Sequence, residues 1–375
     1  MSNIRVVLFV LLIFLSSCRS NFGDEGTDRV EVIPFSSFSF SSWDNILDVM
    51  DAPRYVLPSS EDKDLVFGRI DKVKLHNEKV FILDSKNKML VEYSTEGMAT
   101  GKVGTFGQGP DEYLSITDFD VDENGTIVIL DGRLDKLFVY DSTRQIISSS
   151  KLPFEADIVK CLNNGDYLFG LSAWNTGVGS GAKLIRTNAT LEIEQSFLEY
   201  DEYIDNSFWI SSYYFVSVDD AIFYSLPLDG FIYALSAVDG SVSKTYRIDF
   251  GSQTLPNAYR KDIERNLPEF DRYMCLKNFT ILSDSLIIGN LLLNNSNRYF
   301  IADRRSQICY LSEQQPLYKK TFLTAMDGRT LISCFDSDGL DDKEDLYRSL
   351  PAHVVKHLEA GNFVLCLRQV KRSLL

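Results

Sequence analysis

Histidine is scarce in this chain of 375 residues, with three in all. His353 and His357 stand four apart on a predicted helix, as two zinc ligands would. The zincin motif needs Glu at the next position, and Val354 is there. The pair therefore reads as ordinary helix surface, and His76 lies beside a strand, far from both in the sequence. The six cysteines contain no CxxC pair and no metal-type spacing. No Gly-x-Ser-x-Gly elbow occurs. The runs Gly104-x-x-Gly107-x-Gly109 and Gly177-x-Gly179-x-Gly181 lack the P-loop lysine and the strand–helix context of a dinucleotide site, so they read as turns. Basic charge is also in deficit: 38 Lys and Arg face 53 Asp and Glu, for a net charge of −15. That balance argues against a broad basic face for nucleic acid or an anionic membrane. No apolar run approaches the roughly 20 residues that span a bilayer.

The longest apolar run is Val6 to Leu15, preceded by Arg5 and followed by small residues. This is the form of an export signal. Its end, Leu15-Ser-Ser-Cys18, resembles the lipobox of bacterial lipoproteins. The resemblance implies a signal peptide over 1–17, with Cys18 as the first mature residue and the site of lipid attachment. It also implies a membrane partner, reached through the lipid, and a place in the cell envelope at the outer membrane. Arg19 to Arg29 is polar, with Gly23, Asp24, Glu25, Gly26 and Asp28. Such a segment cannot bury enough apolar surface to fold, so residues 18–29 are expected to be a flexible tether.

Residues 30–375 are written in short β units. Val80-Phe-Ile-Leu-Asp84 precedes Met89-Leu-Val-Glu-Tyr93, Ile127-Val-Ile-Leu-Asp131 precedes Lys136-Leu-Phe-Val-Tyr140, and Ile222-Phe-Tyr224 precedes Phe231-Ile-Tyr233. β-Branched and aromatic residues fill these runs and turn residues separate them. Asp-Gly begins at 131, 229, 239, 327 and 338, and Asn-Gly at 124 and 164, the strongest short-range hairpin signals. The units recur with a period in the mid-forties, near 84, 131, 170, 224, 288 and 335–366. Four short strands at that period mark a β-propeller. The expected fold is all-β: one six-bladed β-propeller of four-stranded blades, with short helical insertions at Pro256–Tyr273 and Asp341–Glu359. The strand Val30–Phe35 is expected to pair into the last blade and close the ring. Cys161, Cys309, Cys334 and Cys366 lie inside apolar runs and read as buried thiols.

Gly104-Thr-Phe-Gly-Gln-Gly-Pro-Asp-Glu-Tyr113, followed by Asp118-Phe-Asp-Val-Asp122, carries a second resemblance. Residues 53–145 resemble the six-bladed propeller lipoproteins of Bacteroidetes, related to NHL and TolB-type propellers. Asp111 stands where that family usually has Gly. The resemblance implies a fold and a location, but no reaction.

Two constellations are candidate sites. Asp120, Asp122, Asn124 and Asp131 fit the EF-hand spacing, with oxygen ligands at alternate positions and a Gly turn suited to calcium. Their flanks are strands, and a blade hairpin explains the same letters. The turn from Asp336 to Asp342 is a second acidic candidate, and no other cofactor is implied. The second constellation is aromatic: Tyr200, Tyr203, Phe208, Trp209, Tyr213 and Tyr214, with Trp174 in a Gly-rich loop. Exposed aromatics serve as rigid anchors for ligands. Gln108 and Glu112, in the resembling loop, are further binding candidates. The leading functional expectation is a binding or scaffolding module for a protein, peptide or glycan. The alternative is an envelope hydrolase or lyase using channel carboxylates with calcium; for it, Asp and Glu are too plentiful to select a catalytic pair. A subunit of an outer-membrane assembly is the third reading.

Overall fold

The computed structural model describes residues 30–42, 49–59, 65, 68–208, 212–294, 296–312, 322–336 and 350–371. The signal peptide, Cys18 and the tether lie outside the described residues. Six sheets form a ring. Their innermost strands are Lys72–His76, Asp118–Val121, Ala156–Cys161, Val216–Val218, Met274–Leu282 and Phe322–Asp327, which define blades 1 to 6 in chain order. Within each blade the chain runs antiparallel from the inside outward.

The middle strands explain why the sequence is written in continuous apolar runs. A blade is covered by a neighbour on each side, so both faces of its middle strands are buried. All five residues of Ile127–Asp131 are buried, as are the last five of Lys79–Asp84. The outermost strand of blade 2, Ile146–Lys151, has no such cover, and Ile147 is 62% exposed. Two acids from the repeating units, Asp84 and Asp131, are fully buried where the second strand ends. Asp131 accepts the backbone N–H groups of Leu114, Ser115, Arg133 and Leu134, and Asp84 those of Gly68, Arg69 and Asn87. Each carboxylate thereby ties the loop entering its blade to the turn between the second and third strands.

Ring closure differs from the expectation. The first strand, β1 (Glu31–Pro34), does not enter the last blade. It lies parallel on the outer strand of blade 4, with Glu31 opposite Tyr246. The next, β2 (Ser39–Ser42), lies parallel on the outer strand of blade 5. The closing strand is β3 (Arg54–Val56), antiparallel to Val364–Gln369 as the fourth strand of blade 6. The reason lies in the side chains. Glu31 pairs with Lys244 of blade 4 at 2.6 Å and with Arg304 of blade 5 at 2.5 Å. Phe35 wedges between the same blades, its ring 5.0 Å from Phe250 and 5.3 Å from Phe300.

The first helical insertion is not one helix but two short ones, α1 (Asn257–Arg260) and α2 (Ile263–Asn266), followed by a 3-10 turn at Leu267–Arg272. The break falls at Asp262, whose side chain accepts from Arg265 N and caps α2. In the second insertion the described part is α3 (Ala352–Glu359), with Val354 and Leu358 buried. Residues 337–349, including Leu346, lie outside the described residues. No helix among the described residues is long and apolar enough to cross a membrane. The five described cysteines are buried, each outside any disulfide.

Candidate functional site

Antiparallel order puts the loops between blades and the turns between second and third strands on one face of the ring. On that face, blades 3 and 4 enclose a pocket of about 590 Å³, part of it open to solvent. Asp157 heads the inner strand of blade 3, and Trp174 stands in the Gly-rich loop of the same blade. Tyr200, Tyr203 and Phe208 come from the loop joining blades 3 and 4, and Tyr213 from the approach to blade 4. Leu226 to Leu228 line the far wall, and Arg260 and Ile263 reach in from α1 and α2. Trp174 is 45% exposed, whereas Tyr213 is buried.

The polar groups of this pocket fall into two sets. Asp157 accepts the Tyr213 hydroxyl at 2.8 Å and the Ser172 hydroxyl at 2.5 Å. Burial pushes its carboxyl above the usual range, against those two hydrogen bonds. Tyr200 donates to Leu171 O at 2.8 Å, and burial raises its phenol well above the ordinary value. The second set is a closed ionic network. Asp229 meets Lys183 at 2.6 Å and Arg260 at 3.7 Å, and Arg260 meets Asp201 at 2.9 Å. Burial works against the Lys183 charge, but Asp229 and Tyr233 outweigh it and raise its pKa. The arrangement offers rigid aromatic walls, apolar side chains and two acids, Asp157 and Asp205, suited to holding a small group of a ligand.

The aromatic constellation read from the sequence is largely assembled here: Trp174, Tyr200, Tyr203, Phe208 and Tyr213 all line the pocket. Trp209 lies outside the described residues. Tyr214 points elsewhere. Its hydroxyl reaches across the ring to Asp71 O at 3.3 Å, and Lys72 Nζ lies 5.1 Å from its ring. Asp157, Arg260 and Leu228 were not singled out from the sequence. The signal for Asp157 was its place at the head of an inner strand, legible only once the blades are aligned.

Gln108 and Glu112 are not part of this pocket. Gln108 is exposed on the loop between blades 1 and 2. Glu112 folds back over that loop and accepts Gly109 N at 2.8 Å. A Cβ at Gly107 would fall on its Oε2, so a side chain there would push the Glu112 carboxyl aside. Tyr113 is buried beneath.

The calcium constellation is not brought together. Asp120 is gripped by Lys74 at 2.9 Å and Lys160 at 2.6 Å, and it accepts Cys161 N. Burial opposes its charge, but Lys160, Lys74 and Lys72 prevail and hold its carboxyl far below the usual range. Asp122 caps its own hairpin, accepting Asn124 N and Thr126 N. Asp131 lies toward the opposite face and is spent on the backbone. The letters spell a hairpin between two strands, where the EF-hand needs a loop between helices. Among the described residues, no three His, Cys, Asp or Glu are grouped to hold a metal. Asp336, the described member of the other acidic turn, is buried; residues 337–342 lie outside the described residues. His357 bonds Phe363 O through Nε2 at 3.1 Å, with burial lowering its pKa.

The channel carboxylates have a structural task. Asp118 binds Lys72 at 2.6 Å and accepts Val159 N, and Asp120 joins Lys74 to Lys160. They stitch together the inner strands of blades 1, 2 and 3, which share no ladder of hydrogen bonds.

No curated protein matches this chain. Two solved structures share its architecture. One is a candidate exported protein from Bacteroides fragilis, 17% identical with a TM-score of 0.67, the match covering 87% of this chain and 96% of that one. The other is a member of the DUF4221 family from Bacteroides vulgatus, 8% identical with a TM-score of 0.50, covering 86% of this chain and 98% of that one. At such identities the likeness is one of fold. In sequence, residues 61–357 match a domain of unknown function, DUF4934, and the chain belongs to that family.

Proposed function

We propose that this chain is an exported binding module, lipid-anchored at the cell envelope, whose propeller holds a protein, peptide or glycan ligand in the pocket between blades 3 and 4. The observation that carries the binding role is the pocket itself: five aromatic side chains gathered from two loops, with Trp174 left 45% exposed at its edge. Aromatic anchors in preformed pockets dominate the energetics of recognition. The anchor rests on Leu15-Ser-Ser-Cys18, and the kinship with NHL and TolB-type propeller lipoproteins on the loop Gly104–Tyr113. Export accords with the fold shared with the B. fragilis protein.

The test is a pull-down of the full lipidated protein from native envelopes, read by mass spectrometry, beside Cys18→Ala and Trp174→Ala. Cys18→Ala should move the protein from the membrane to the soluble fraction. Trp174→Ala should lose the ligand and keep the anchor. A ligand retained in full by Trp174→Ala would place binding elsewhere on the ring.

A further inference from the structure

Inward-facing carboxylates of this ring are matched by cations or by many donors. Asp118 has Lys72, Asp120 has Lys74 and Lys160, and Asp229 has Lys183 and Arg260. Asp71 heads the inner strand of blade 1 as Asp157 heads that of blade 3. Each accepts a serine hydroxyl from its own blade, Ser85 at 2.6 Å and Ser172 at 2.5 Å. Asp71 also has Arg69 Nε at 2.5 Å. Asp84 and Asp131 lack a cation but accept four and five hydrogen bonds. Among the described residues, Asp157 has two hydroxyl donors and no ion pair, and it lines the pocket.

The chain itself shows what fits such a place. Lys183 Nζ sits 2.6 Å from Asp229, with the rings of Tyr233 and Tyr200 at 5.4 and 5.9 Å. Lys72 Nζ sits 2.6 Å from Asp118, with the rings of Tyr214 and Phe119 at 5.1 and 5.2 Å. In both, an ammonium lies on a carboxylate among two aromatic faces, which attract it through their quadrupoles. The pocket repeats the carboxylate and the rings without supplying the lysine. Among the described residues, the buried Tyr224 hydroxyl and Asp229 Oδ1 have no hydrogen bond. Arg260, the cation in the lining, is already matched: with Lys183 it faces Asp201 and Asp229. Asp157 and Asp205 are left over, so the pocket carries net negative charge.

We propose that this pocket takes an aliphatic ammonium group, seated on the Asp157 carboxylate among Tyr200, Tyr213 and Trp174; this rests on reading the pocket as the ligand site. The ammonium supplies the countercharge that Asp157 lacks and opposes the upward push of burial on its carboxyl. Two sources share this chemistry, a free alkylamine and a lysine side chain on a peptide.

Calorimetric titration of the full chain in detergent distinguishes them. The probes are n-pentylammonium chloride and N-acetyl-lysine methylamide, each beside its neutral isostere, 1-pentanol and N-acetyl-6-hydroxynorleucine methylamide. Both ammonium probes should bind about tenfold or more tighter than the isosteres, and Asp157→Asn should erase that margin. Tighter binding of the capped lysine than of pentylammonium points to a peptide, and equal binding to a free amine. Isosteres that bind as well as the ammonium probes overturn the ammonium seat and leave the pocket a ligand site. Binding by none of the four overturns both. The comparison of charged and neutral probes uses the unaltered protein, so it stands even if Asp157→Asn folds poorly.

Discussion

Replacing Asp120 with asparagine tests whether the channel charges hold the ring together. Lys74 and Lys160 lie 2.9 and 2.6 Å from its carboxylate. At an effective dielectric near 20, each contact is worth on the order of 6 kcal/mol before desolvation, and desolvation takes back several kcal/mol per ion. The variant keeps an acceptor for Cys161 N but takes the carboxylate away from two ammonium groups. Their side chains are only 14% and 11% exposed. Losing one partner of a buried pair costs about 3–5 kcal/mol, and that is the expected loss in urea unfolding followed by far-UV circular dichroism. In a Lys160→Met background the same change should cost less than half as much, because only the Lys74 contact is then lost. The pH dependence has a definite sign. Asp120 is depressed in the folded state, so its contribution is fully present above the unfolded carboxyl value of about 3.9. The gap between wild type and variant should therefore hold from pH 7 to about 4 and shrink only below that. A loss under about 1 kcal/mol, the range of exposed ion pairs, would mean that water screens the channel and would refute this reasoning.

Three other predictions follow from single sites. Gly107→Ala should expel the Glu112 carboxyl from its seat on Gly109 N and lower stability by about 1 kcal/mol, the worth of that hydrogen bond; adding Glu112→Ala should cost nothing further in calorimetric melting. Burial lowers the pKa of His357, so the folded state favours the neutral imidazole. Its contribution is complete above the ordinary value of 6.5 and is lost as pH falls below it, so the melting temperature should drop from pH 7.5 to 5 less steeply in His357→Gln than in wild type. Tyr55→Pro puts proline in the centre of the closing strand, opposite Cys366. A loss of about 1–3 kcal/mol is expected, with new protease cleavage near residues 49–59.

Much of the ring was legible because blade chemistry is local. Asn124-Gly125, Asn164-Gly165, Asp239-Gly240 and Asp327-Gly328 all sit at hairpin turns with glycine at positive φ. Asp131-Gly132 works differently. Its Asp is the buried cap, and the positive φ falls on Asp135. Lys88 and Gln307 do the same in blades 1 and 5, and no turn letter announces them. The destination of β1 was not legible, because Glu-Val-Ile-Pro fits any sheet edge. What selects blade 4 is the pairing of Glu31 with Lys244 and Arg304, residues brought near only by the finished ring. The pocket was half legible for the same reason. Its aromatics cluster in sequence between Tyr200 and Tyr213, while Asp157 and Arg260 arrive from the neighbouring strand and insertion.

The three N-terminal strands set the order in which the protein can fold. Glu31 waits for Tyr246, Ser39 for Ile308 and Arg54 for Leu367. On a ribosome or behind a translocation pore, blades 1 to 3 emerge with all their own strands and can form as they appear. The segment that leaves first must stay unpaired until almost the whole chain has followed. Closure is then a late, non-local step of the kind that slows folding and exposes sheet edges to aggregation. A chaperone that shields β1 to β3 would act on the slowest part of the process.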